Sequence, residues 1–208
     1  MDKKSLFTLS SNKIANQANF KIIILSQLYQ NNDKFINTFL ESETDKKIEE
    51  INKFCILSNR EEYQLDLIYP LIQDYNLSYA TQDILSNYLL VACYSFYEKA
   101  FKEILAQTDK LSTNQLYNCY KEKYTKELLK SQFSIDFELL QDSAKINELL
   151  YFNNDIKHKG LVGKKLASVN DNLIVGNPFT NTYKDFRRLM GAPISLLEDL
   201  VCKIKPQL

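Results

Sequence analysis

The chain has 208 residues, 45% of them apolar and 12% aromatic, enough to fill the core of one domain. Lys plus Arg and Asp plus Glu are 26 each, so no bulk charge draws the protein toward nucleic acid or an anionic membrane. Gly160, Gly163, Gly176 and Gly191 are the only glycines. Over the first three quarters this excludes a β-sandwich, with a Gly-bearing turn about every 8–12 residues, and a dinucleotide fold with its Gly-rich first turn.

An all-α, up-and-down helical bundle is therefore expected. Residues 11–40 read as a helix or helix pair punctuated by Ile14, Phe20, Ile23, Ile24, Leu28 and Phe35, with Asn31, Asn32 and Asp33 as a break. A charged helix is predicted over 44–57, where Ile48, Ile51, Phe54 and Cys55 form a stripe, and Pro70 ends whatever precedes it. Residues 81–107 are strongly helical and nearly apolar all round over 88–97, as suits the central member of a bundle. Thr108, Asp109, Ser112 and Thr113 supply turn and cap chemistry before a helix over 113–131. Ser134 then reads as the N-cap of a long helix from 135 to 158, with Asp136 and Glu138 in its first turn.

Past Gly160 the character changes. Residues 161–181 read as a loop or short hairpin in which Leu173, Ile174 and Val175 form a short strand. A last helix over 182–203 presents Phe186, Met190, Leu196, Leu197, Leu200 and Val201, broken once near Gly191 and Pro193. Residues 1–78 are read as a helical extension packed on a helical domain over 79–208, or the two together as one continuous domain.

Several chemistries have nothing to work with. Cys55, Cys93, Cys119 and Cys202 form no CxxC pair, and there is one histidine, so no metal or other cofactor is expected. No Gly-rich phosphate loop occurs, and acid pairs such as Glu49-Glu50 and Glu61-Glu62 sit among lysines on solvated faces. The longest uncharged run near the middle, residues 84–97, is 14 residues, too short to span a bilayer, and no secretion signal opens the chain. A soluble, cytoplasmic protein with no membrane partner is expected.

The chemistry-bearing segment is Tyr151-Phe152-Asn153-Asn154-Asp155-Ile156-Lys157-His158-Lys159-Gly160. Ile146, Leu149 and Leu150 set a core stripe that continues to Asn153. Asn154 and His158 are four residues apart and share another face, with Tyr151 a turn further back. Over residues 156–188 Lys157, Lys159, Lys164, Lys165, Lys184, Arg187 and Arg188 face only Asp171 and Asp185, a local balance of +5. Histidine as a residue type exchanges a proton near neutrality. His158 beside basic side chains suits metal-independent RNA cleavage, in which a 2′-hydroxyl attacks the adjacent phosphorus. A helix-capping histidine and a solvated charge run account for the same residues.

The run from Asn153 through His158, followed by Gly160, resembles the signature of the HEPN superfamily (higher eukaryotes and prokaryotes nucleotide-binding). That signature is an Arg, a polar residue that is often Asn, three further residues and a His at the end of a long helix. Ser95-Phe96-Tyr97-Glu98-Lys99-Ala100 resembles the close of the family's earlier core helix, with its aromatic-Glu element, and the final helix over 185–203 is similar to the family's ending. The resemblance spans residues 79–205. It implies a HEPN-like bundle of the ribonuclease and toxin branch, acting on RNA as a homodimer within a toxin–antitoxin or phage-defence system with a partner protein. Asn154 and His158 carry over as the polar and histidine positions, and Asn153 stands where the family has Arg. The implied site is then His158, Asn154 and Asn153. Lys157, Lys159, Lys164, Lys165, Arg187 and Arg188 would contact RNA, and Glu98 with Tyr97 would form a second or structural site. Three readings stay open: a HEPN-like endoribonuclease, a catalytically inactive HEPN-like protein binding RNA, nucleotide or a partner, and an unrelated helical interaction protein.

Overall fold

A computed structural model of the chain describes residues 2–35, 41–57 and 64–208. The chain is an all-α helical bundle, and no helix among the described residues is long and apolar enough to cross a membrane. Helix α1 (Lys3–Phe35) lies along α3 (Gln64–Ala106) and meets α9 (Ala192–Ile204), while α2 (Glu41–Leu57) packs on α3. Two expected breaks are absent. α1 runs through Asn31, Asn32 and Asp33, none of them Gly or Pro, where helix propensity costs only tenths of a kcal/mol each. α3 runs through Pro70, which removes one backbone hydrogen bond near the helix start, and continues across residue 79. Residues 36–40, the pair Glu61-Glu62 and the side chains of Phe35, Phe54 and Cys55 lie outside the described residues.

The apolar centre of α3 turns Leu89, Leu90, Cys93, Tyr94 and Tyr97 into the core. Burial pushes the Cys93 thiol up to about 12, so this cysteine is packing material rather than a nucleophile. The opposite side of the same stretch is not covered. Leu85 and Tyr88 stay exposed and, with Leu28 of α1, border an apolar groove of about 400 Å³.

The helix expected over 113–131 is two. Ser112 caps α4 (Thr113–Asn118) through a capping box with Gln115, and a turn at Cys119-Tyr120-Lys121 leads into α5 (Glu122–Phe133). Ser134 is not an N-cap. It closes α5 in the left-handed region, at φ 50°, with its amide on the Lys130 carbonyl. Asp136 caps a short 3-10 turn over Phe137–Leu139, and the next helix, α6 (Ser143–His158), starts eight residues later than the sequence reading has it.

α6 packs on α3 and α9 through Ile146, Leu149 and Phe152, and Phe152 meets Phe179 at 6.0 Å. After Gly160, at φ +65°, the chain makes one turn of helix, α7 (Lys164–Ala167), inside a loop closed by backbone bonds between Val162 and Asn177 and between Gly176 and Val162. Leu173, Ile174 and Val175 form no strand. The pairing there is a single bridge between Leu161 and Pro178, and Ile174 and Val175 point to solvent, giving a sheet nothing to bury. The last helix is broken at Met190-Gly191, as Gly191 and Pro193 suggest, into α8 (Tyr183–Leu189) and α9.

Candidate functional site

The C-terminal end of α6 borders a groove of about 950 Å³, walled on one side by the turn between α4 and α5 and on the other by α7. Asn154 and His158 both line it and are exposed, as their spacing along one helix face requires. The His158 imidazole makes no hydrogen bond to a described residue, so both ring nitrogens are open to an incoming group. Among the described residues four lysines, Lys121, Lys159, Lys164 and Lys165, face two carboxylates, Glu122 and Asp155, and leave the lining at +2.

The carboxylates are occupied in different ways. Asp155 is buried, and its Oδ2 accepts the Gly163 amide at 2.7 Å while Oδ1 takes the Lys159 ammonium at 2.8 Å. This pins the loop carrying Lys164 and Lys165 against α6. It also explains the glycine: a Cβ at position 163 would stand 2.6 Å from both carboxylate oxygens. Glu122 holds Lys126 at 2.7 Å and Lys165 at 3.6 Å, and accepts the Tyr151 hydroxyl at 3.3 Å. Burial opposes ionisation of Glu122, but the Lys126 hydrogen bond and charge, then Lys165 and Tyr151, outweigh it and hold the carboxyl below its usual range. Burial and the Glu122 charge together raise the Tyr151 phenol, which stays protonated as a donor. Lys165 also lies over the Tyr151 ring at 5.4 Å.

Tyr97 and Glu98 border a much smaller cavity, of about 30 Å³, that shares Tyr120, Glu122 and Leu150 with the groove. Glu98 is held by Lys102 at 2.6 Å, and burial raises the Tyr97 phenol well above its ordinary range. The second pair of residues singled out from the sequence thus lies behind the groove wall.

Other residues singled out from the sequence lie elsewhere. Asn153 is 6% exposed, lines neither cavity, and its Oδ1 has no hydrogen-bond partner among the described residues. Lys157 and Arg187 are exposed outside the groove lining. Arg188 forks onto Glu148, at 2.5 and 2.8 Å, and reaches Asp185 at 3.0 Å, while Asn170 donates to both carboxylates. Glu148 is ten residues before His158 on α6, about 15 Å along the axis, so the Arg188 cation is spent on a buried acidic pair far from the imidazole. Sequence reading missed Tyr120, Lys121 and Glu122, because a helix drawn through 113–131 hides the turn that brings them to α6.

No family model matches the chain, and neither a curated protein nor a solved structure matches it.

Proposed function

We propose that the protein is a HEPN-like, metal-independent endoribonuclease, a component of a defence or toxin system, with His158 as general acid or base. The observation that carries this reading is the pairing of an open imidazole with lysines across one groove: His158 and Asn154 on α6, Lys164 and Lys165 on α7, Lys121 on the facing turn. In the reaction the 2′-oxygen forms a bond to phosphorus as the bond to the 5′-oxygen breaks, leaving a 2′,3′-cyclic phosphate and a 5′-hydroxyl. His158 takes the 2′-proton or protonates the leaving oxygen. The charge on the phosphoryl oxygens falls to Lys164 and Lys121, since Asn153 is buried and brings no cation. Lys164 makes no ion pair with a described residue and is free to do so.

A second reading, RNA binding without cleavage, is favoured by one specific observation: among the described residues no arginine lines the groove, and lysine is a less directional partner for a phosphate. Incubation with total RNA in chelator separates the two. Cleavage that disappears in His158→Ala supports the first; binding that weakens with salt and no cleavage supports the second. The first reading carries with it a homodimer and an antitoxin-like or other defence partner. Light scattering tests the dimer, and a monomer at every concentration contradicts it.

A further inference from the structure

Two exposed aromatic rings stand beside the groove without a role in the fold. Tyr117 is 70% exposed and Tyr120 46%, their centroids 5.9 Å apart and their planes inclined at 74°. Neither hydroxyl makes a hydrogen bond to a described residue. Tyr120 lines the groove that holds His158, and Tyr117, outside that lining, stands against its ring on the α4–α5 side.

The surroundings point to a ligand with both flat rings and negative charge. Lys121 is exposed and lies over the Tyr120 ring at 5.2 Å; Lys102, over it at 5.9 Å, is already paired with Glu98. A protein-docking patch would surround such rings with apolar side chains that exclude water; here the apolar neighbours of Tyr120 lie on its inner side, toward the small cavity, and two lysines lie over its ring. Aromatic faces interleaved with mobile cations along a groove are how single-stranded nucleic acid is held, bases on rings and phosphates on ammonium groups. An exposed cation over a ring is a weak contact that a base displaces readily; the Lys121 ammonium, which also donates to Asn118 Oδ1 at 3.0 Å in an exposed bond, is then at hand for the adjoining phosphate.

We infer that Tyr117 and Tyr120 are a stacking platform that takes unpaired bases of an RNA and so positions the strand along the His158 groove. This rests on the RNA reading above and adds the substrate class. Rings inclined at 74° cannot both lie flat on consecutive bases of a duplex, whose planes are parallel, so the platform selects a single strand that bends at the lip.

The test is binding of a single-stranded RNA oligonucleotide carrying 2-aminopurine, with His158→Ala as the parent so that the strand survives. The parent is expected to quench the fluorophore and to bind the strand more tightly than the matching duplex. Replacing both tyrosines by Leu should weaken single-strand binding at least about tenfold and abolish the quenching, while replacing both by Phe keeps each. Circular dichroism melting checks that the Leu variant is folded. Unchanged affinity in a folded Leu variant, with salt-sensitive binding intact, overturns the platform and leaves the RNA reading standing. Loss of self-association with unchanged RNA affinity marks the rings as a protein contact and also overturns it. A parent that binds no RNA overturns both.

Discussion

Asn153 and Asn154 are neighbours on α6 with opposite surroundings: Asn154 faces the groove beside His158, while Asn153 is buried among the core residues of the helix. The only hydrogen bond between their side chains, Asn153 Nδ2 to Asn154 Oδ1 at 3.3 Å, leaves the Asn153 Oδ1 without a partner. A cation at 153 would therefore be delivered to the core.

An unpaired buried carbonyl costs about 1–3 kcal/mol, so Asn153→Leu should keep or raise stability, by up to about 1 kcal/mol in urea denaturation. Asn153→Arg, which restores the motif residue, should destabilise by several kcal/mol and add no RNA cleavage. A fully stable Arg variant with new activity would show that position 153 reaches the groove.

Arg188 bridges a buried pair, Glu148 and Asp185, and those hydrogen bonds, with Glu148 first, raise its own guanidinium further. Arg188→Ala leaves two buried carboxylates uncompensated and should cost about 3 kcal/mol. Arg188→Lys should recover only part, because an ammonium cannot fork onto both Glu148 oxygens. Loss of RNA affinity without loss of stability would contradict this structural role.

Much of this was legible in the sequence for a physical reason. The stripe Ile146, Leu149, Leu150 already runs into Asn153, and the buried face of α9, Leu196, Leu197, Leu200 and Val201, follows helical period. The helix ends were less readable. Ser134 has cap chemistry that serves either end, and the left-handed turns at Asp109, Ser134, Asp142 and Asn181 use no glycine. The far wall of the groove, Tyr120 to Glu122, was not legible. Tyr151 and Glu122 are 29 residues apart and meet only because the chain brings the first turn of α5 up to α6, which leaves no local signature.

Glu122 makes part of the stability depend on pH. Its folded carboxyl lies below the ordinary value of 4.5, so its stabilisation is complete above that value and is lost as pH falls through the lowered one. In urea titrations Glu122→Gln should be less stable than wild type near neutrality, and the gap should close in acid. A constant difference at every pH would contradict the ionised contact with Lys126.

Gly163→Ala forces a methyl against the Asp155 carboxylate and the Lys159 ammonium. It should cost about 1–3 kcal/mol and release the loop. Hydrogen exchange should rise across residues 160–179 while the buried turns of α6 keep their protection. Unchanged exchange at Gly163 would mean the Asp155 contact does not hold the loop.

The RNA cleavage proposed for the His158 groove needs no metal ion. Its most direct test is the chemistry of the product ends, with wild type and His158→Ala compared in chelator on one single-stranded RNA. The expected products are 2′,3′-cyclic phosphate and 5′-hydroxyl ends from wild type and none from the variant. Cleavage by both proteins alike, or ends that form only when a divalent metal is supplied, would contradict it.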